Sequence, residues 1–227
     1  MPMHRYETHT HTAEVSRCSL ISAAELVRVY KQLGFSGVWI TDHFLNGNTT
    51  VPAHLPWEDR VREFCRGYYN AYREGRRIGI DVFFGWEYSY RGTDLLTYGL
   101  DPQWLMAHPE VMKLHINEYC DLVHAHGGFI AHAHPFREAN YIDLIRLLPR
   151  KVDAVEVVNT CRTEFENKMA RQYADNYGLL KIAGSDNHAG LMPRYDGVET
   201  VHKVNSGREL FNAVKEGKAR LFTVSIA

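Results

Sequence analysis

Imidazoles and carboxylates, the side chains that hold divalent cations and move protons, fall in short packets along this chain. They run His9-Thr10-His11 with Glu14 close behind, Asp42-His43, Glu87, Asp94, His132-Ala133-His134 and Asp186-Asn187-His188. Every packet except the Asp94 one closes, or directly follows, a short apolar run of β character. A single ion cannot use so many donors. The set suits a cluster of metals, and clustered metals do hydrolytic chemistry. Side chains alternate faces along a strand, so His9 and His11 point the same way and reach one ion together. His132 and His134 share that spacing; His134, at the strand end beside Pro135, is the expected ligand, and His132 a deeper supporting or core residue. Adjacent residues point apart, which makes His43 the ligand of its pair and leaves Asp42 to orient an imidazole. Asp186 and His188 both come within reach of the site. For Cys18, near the first packet, ligation and an inert buried thiol are both open, the second being the commoner state.

The elements that must position these groups alternate. Tyr6 to Thr10 reads as a first strand. Ser22 and Glu25 form a capping box for a helix with Ala23, Leu26, Val27, Tyr30 and Leu33 on one stripe, stopped by Gly34. Phe35 to Thr41 is the next strand, followed by one helix carrying Trp57, Val61, Phe64, Tyr68 and Tyr72. Strands are expected at Ile80 to Trp86 and Leu95 to Leu100, then a helix from Pro109 through Val123 closed by Gly127-Gly128. Phe129 to Ala133, Asp153 to Val158 and Leu179 to Ala183 complete the series, with a last βαβ-like unit from Gly197 to Val224. Such alternation implies parallel strands and right-handed crossovers. An open sheet and a closed barrel both obey that rule. Functional residues after at least five strands converge only at a barrel mouth, so a barrel is expected.

Composition sets the bounds. With 227 residues, 45% hydrophobic and 23% charged, the chain is that of an ordinary globular protein, long enough for one barrel-sized domain. A net charge of −1 gives no general attraction to nucleic acid or acidic membranes. No stretch approaches a membrane span, and the opening Met1-Pro2-Met3-His4-Arg5-Tyr6-Glu7 has no apolar core of a signal peptide. Cys18, Cys65, Cys120 and Cys161 are far apart, which is consistent with reduced thiols and a cytoplasmic location. Arg137, Arg162 and Arg194 each follow a strand end, where a guanidinium can grip a terminal phosphate.

His9-x-His11 with an acid soon after, Thr41-Asp42-His43, Gly85-x-Glu87, Ala133-His134-Pro135 and Ser185-Asp186-x-His188 resemble, in order, the motifs of the PHP (polymerase and histidinol phosphatase) superfamily. The resemblance runs over essentially the whole of residues 1–227 and implies a single PHP domain, a distorted (β/α)7 TIM-like barrel of the α/β class. It implies two or three divalent ions, commonly zinc, manganese or iron. One would be held by His9, His11, Glu87 and Asp186, a second by Glu87 and His134, and a third by Glu14, His43 and His188. Glu156 and Asn159 are similar to the family's Glu-x-x-Asn at a strand end and are expected behind the ligands. Asp94 stands where the family usually offers a histidine; its harder oxygen favours manganese or iron over zinc at that ion, or leaves the site binuclear.

The activity implied is hydrolysis of a small phosphorylated metabolite, a phosphomonoester such as histidinol phosphate or a short nucleotide, by a hydroxide bridging the metals. Glu87, Asp186 and His134 would be the catalytic metal-holding set. Two rivals share the residues: a hydrolase of C–N or C–O bonds using the same metals, and a non-catalytic accessory module. Membrane attachment and stable nucleic-acid binding are not expected.

Overall fold

The computed structural model describes residues 3–226. Its nine strands form one sheet: β1 (His4–Glu7), β2 (Gly37–Ile40), β3 (Asp81–Tyr90), β4 (Thr93–Tyr98), β5 (Phe129–Ala133), β6 (Ala154–Asn159), β7 (Leu180–Gly184), β8 (Arg194–Thr200) and β9 (Ala219–Ser225), in the order β7-β6-β5-β4-β3-β2-β1-β8-β9. The sheet curls until its strands nearly close. Just past β1, Thr10 bridges Asn187, with His11 N donating to Asn187 O at 3.0 Å and Asn187 N to His9 O at 3.3 Å. The result is barrel-like, but it is not the simple sevenfold βα repeat.

Two departures from uniform parallel pairing have a local cause. β4 runs antiparallel to both β3 and β5. Only Arg91 and Gly92 separate β3 from β4, and both have positive φ, 50° and 83°. A two-residue turn of that kind makes a hairpin and has no length for a crossover. At the other end, β8 is antiparallel to β1 and to β9, so the last unit is not a parallel βαβ.

Helices cover the outside. α1 (Ala23–Gln32) starts at Ser22 with the expected capping box. The single helix expected from Trp57 is two, α2 (Trp57–Phe64) and α3 (Arg66–Ile78), broken at Cys65. The break lets α3 pass hard against the site: a Cβ on Gly67 would collide with Thr12 Oγ1 and Asp42 Oδ2. α4 (Pro102–Ala107) precedes a 3-10 turn, Pro109–Met112, and α5 (Ile116–Ala125) starts only at Ile116. α6 (Glu164–Tyr177) and α7 (Gly207–Lys215) complete the shell. Tyr6, Trp39, Leu96, Tyr98, Ala131 and Ile182 are fully buried in one apolar cluster, where each large side chain contributes about 1.5–3 kcal/mol. Among the described residues no helix is long and apolar enough to cross a membrane.

Candidate metal centre

Strand ends bring seven of the expected groups together. Backbone pairing sets the frame: Glu87 N donates to Asp42 O and Phe44 N to Glu87 O, which holds His43 beside Glu87. His9, His11 and Asp186 form one group whose ligand atoms lie within 4.8 Å of one another; His9, Glu87 and His134 form a second, and His11, His43 and His188 a third. The groups overlap through shared residues, so this is one continuous cluster. Glu87 sits at its middle, with Oε1 3.1 Å from His134 Nε2 and Oε2 2.6 Å from His43 Nδ1.

The supporting hydrogen bonds fix which nitrogens face inward. Glu156 Oε1 accepts from His9 Nδ1 at 2.8 Å, while Oε2 accepts from His134 N at 3.0 Å and Asn159 Nδ2 at 2.9 Å. Gly184 makes room for this: a Cβ there would lie 2.6 Å from His9 Cβ and 2.8 Å from Glu156 Oε1. Asp42 accepts from Thr12 N, Thr12 Oγ1 and Ser16 Oγ. Having donated to Asp42, the Ser16 hydroxyl accepts from His11 Nδ1 at 3.1 Å. Asp42 therefore orients His11 through Ser16, a residue that the packet pattern does not reveal. Below them, fully buried Glu7 accepts from the backbone N–H of His9 and Ser185 and from the Tyr30 hydroxyl. Two cluster members are strained: His134 at φ 24° and Asp186 at φ 52°, conformations that cost about 1–3 kcal/mol each and that concentrate at functional sites.

Donors arranged in this way fit divalent cations. With the protons of His9 and His11 directed outward on Nδ1, their Nε2 atoms face each other at 3.1 Å, where two lone pairs repel unless a cation or a proton lies between. His43 Nδ1 and Glu87 Oε2, although close, are misaligned for an N–H···O bond, and both are buried without a hydrogen-bond partner among the described residues. Burial disfavours charge on His9, but Glu156, Asp186 and Glu87 outweigh it and raise its pKa to about 10 in the metal-free fold. His11 is held well below the usual histidine range by burial and by neighbouring His188 and His43. Burial opposes ionisation of Glu87 and Asp186, yet the imidazoles around them hold both well below the carboxylate range. Anionic oxygens converging with imidazole nitrogens, which exchange a proton for a metal, are what hard and borderline divalent metals take.

Other expected residues lie elsewhere. Glu14 stands outside the cluster, because its carboxylate accepts from Ala23 N at the start of α1, at 2.9 Å, and from Asn70 Nδ2 at 3.1 Å. Its place beside His43 is taken by Cys18, which is exposed, not buried, with Sγ 3.1 Å from His43 Nε2. Burial raises the Cys18 pKa, but hydrogen bonds with His188 and His43 prevail and bring it to about 6. His132 faces outward and meets Tyr173 of α6 edge-on. The period-two expectation fails there because the positive φ of His134 rotates that side chain inward. Asp94 reaches the wall of the site but is held by Arg137 Nη2 at 2.9 Å and Ser89 Oγ at 2.7 Å. Arg137 and Arg162 line the same cavity, of about 560 Å³, together with Cys18, Tyr141 and Cys161. Arg194 does not line it, since its Nε is bound 2.9 Å from Asp196 Oδ2 along β8. A larger cleft of about 820 Å³ opens at the opposite end of the strands, beside Arg76, Trp104 and Arg208, and none of the three groups reaches it.

No family model matches this sequence, and no curated protein matches it. Solved structures do match the fold. A two-domain protein containing a predicted PHP-like metal-dependent phosphoesterase, from Bacteroides vulgatus, superposes with a TM-score of 0.72 at 14% identity over 97% of this chain. The present chain spans 65% of that protein's length. PsfC from Pseudomonas syringae gives 0.64 at 16% identity, covering 100% of this chain and 93% of its own. An amidohydrolase from Chromobacterium violaceum, with bound sulfate and no metal, gives 0.56 at 14% identity over 81% of this chain and 87% of its own. The PHP resemblance read from the motifs is thus matched at the level of the fold.

Proposed function

We propose that residues 1–227 form a PHP-type domain acting as a metal-dependent phosphoesterase on a small phosphorylated molecule. The observation that carries this reading is Glu87, whose two oxygens lie against His134 on one side and His43 on the other, at 3.1 and 2.6 Å, as a carboxylate shared between ions would. His9, His11, His43, His134, Asp186 and His188 complete the ligand set, with Glu156, Asn159 and Asp42 holding it. Two or three divalent ions, when bound there, would lower the pKa of a water and neutralise charge on phosphoryl oxygens. The chain's own residues do the rest. Arg137 and Arg162 meet the non-bridging oxygens from the cavity wall, and Arg162 Nε is a buried donor without a protein acceptor among the described residues.

A phosphomonoester such as histidinol phosphate, or a short nucleotide, suits a cavity of this size. Hydrolysis of a C–N or C–O bond is the second reading, favoured by the fold shared with the Chromobacterium amidohydrolase. The test is a panel of phosphate esters and amides assayed with Zn²⁺, Mn²⁺ and Fe²⁺ in turn. Metal-dependent release of phosphate is expected; amide cleavage without any phosphate release would overturn the proposal.

A further inference from the structure

The loop after β1 fixes a thiol against the metal cluster. Its backbone is pinned on both sides of Cys18: Arg17 N donates to Asn48 O at 2.9 Å, Leu20 N to His188 O at 2.8 Å, and Ser19 Oγ to His11 O at 3.0 Å. These bonds tie the loop to the segments that carry His43 and His188. Sγ lies 3.1 Å from His43 Nε2. His188 Nδ1 is engaged by Asp186 O at 2.8 Å, so its Nε2 holds the lone pair. On the other edge of the same His43 imidazole, Glu87, only 1% exposed, places Oε2 2.6 Å from Nδ1 without an aligned hydrogen bond, so His43 stands between a buried carboxylate and the thiol. The carboxylate that the resemblance assigns here is committed elsewhere, since Glu14 caps α1.

We propose that Cys18 is a thiolate ligand, together with His43 and His188, of one divalent ion of this centre. The inference rests on reading the cluster as a metal centre. In tetrahedral zinc sites, metal–sulfur and metal–nitrogen bonds separate S and N by about 3.5 Å, so the Cys18–His43 spacing needs to open by only a few tenths of an ångström. Binding breaks the S–H bond, its proton leaves to solvent, and the sulfur electron pair forms the bond to the metal, with no change of oxidation state. Three protein ligands leave a fourth position for water or a substrate oxygen. Sulfur makes this end soft and selects zinc over manganese, opposite in character to the Asp94 end.

Cobalt titration of the metal-free protein tests this, because a thiolate bound to Co²⁺ gives a charge-transfer absorption in the near ultraviolet that nitrogen and oxygen ligands do not. The wild type is expected to develop the band. Cys18→Ser should lose it and bind one ion fewer, with its far-ultraviolet circular dichroism unchanged, while Cys161→Ser and Glu14→Gln keep it. Cobalt binding without the band, or a band that persists in Cys18→Ser, would overturn the assignment. The band without phosphate release from any ester would overturn the phosphoesterase reading alone; phosphate release without the band would overturn thiolate ligation alone.

Discussion

The two ends of the centre use opposite means of handling charge. At one end the sulfur of Cys18 faces the imidazoles of His43 and His188, and Glu87 meets the His43 imidazole at 2.6 Å. At the other, the Asp94 carboxylate lies 2.9 Å from the Arg137 guanidinium, so much of its charge is already balanced by the chain. Burial and Glu87 push the Asp94 pKa up, whereas His134 and Arg137 pull it back. The difference teaches that the ends need not hold ions equally. One balances charge with imidazoles, which give up their protons when a metal binds, while the other supplies a permanent cation that can also meet an anionic substrate.

The largest test of that comparison is Glu87→Gln, which removes the charge both ends share. Metal content should fall in both halves of the cluster, and phosphate release should drop by more than about a hundredfold, beyond the 10- to 100-fold typical of residues that only support ligands. Full metal content with full turnover would show that the ends are independent. Arg137→Ala acts on one end alone. It should leave the metals bound and raise KM for a phosphate ester about 10- to 100-fold, matching a charged hydrogen bond of about 1.5–3 kcal/mol. An unchanged KM would remove Arg137 from anion binding.

Glu7→Gln should affect turnover least, because among the described residues Glu7 hydrogen-bonds only to the backbone N–H groups of His9 and Ser185 and the Tyr30 hydroxyl. Burial raises its pKa from 4.5 to about 7. A raised carboxylate contributes stability below its unfolded value and loses it as pH rises through the folded one. Denaturant unfolding of the metal-free wild type should therefore show it losing stability relative to Glu7→Gln between pH about 4.5 and about 7. Parallel curves for the two proteins would refute a proton held on Glu7.

Much of the cluster was legible because its members sit where short apolar runs end, and strand ends of a curled sheet converge. Glu14 misled because nearness in sequence to His9 and His11 is not nearness in space: the turn after β1 sends its carboxylate to the start of α1 and presents Cys18 instead. Strand direction was less legible. A helix-length segment implies a crossover, but the Arg91-Gly92 turn between two apolar runs signals a hairpin, and that signal decides β4. Ser16 and Glu7 carry no spacing signature at all. They matter through hydroxyl and carboxylate contacts to backbone and imidazole atoms that only the folded chain brings within reach.

The bridge between Thr10 and Asn187 has a consequence for how the chain folds. Contacts across this seam join residues as far as 178 positions apart, as from Ser185 to Glu7. Closing so long a loop costs about 4–5 kcal/mol in chain entropy before any contact repays it, whereas the β3–β4 hairpin closes over two residues. Local hairpins and helix pairs therefore have the kinetic advantage, and the seam is among the last contacts to form. An ion gripped by His9 and His11 on one side of that seam and Asp186 on the other would be a staple across nearly the full length of the chain. Loss of such an ion would loosen the join that makes the sheet a barrel.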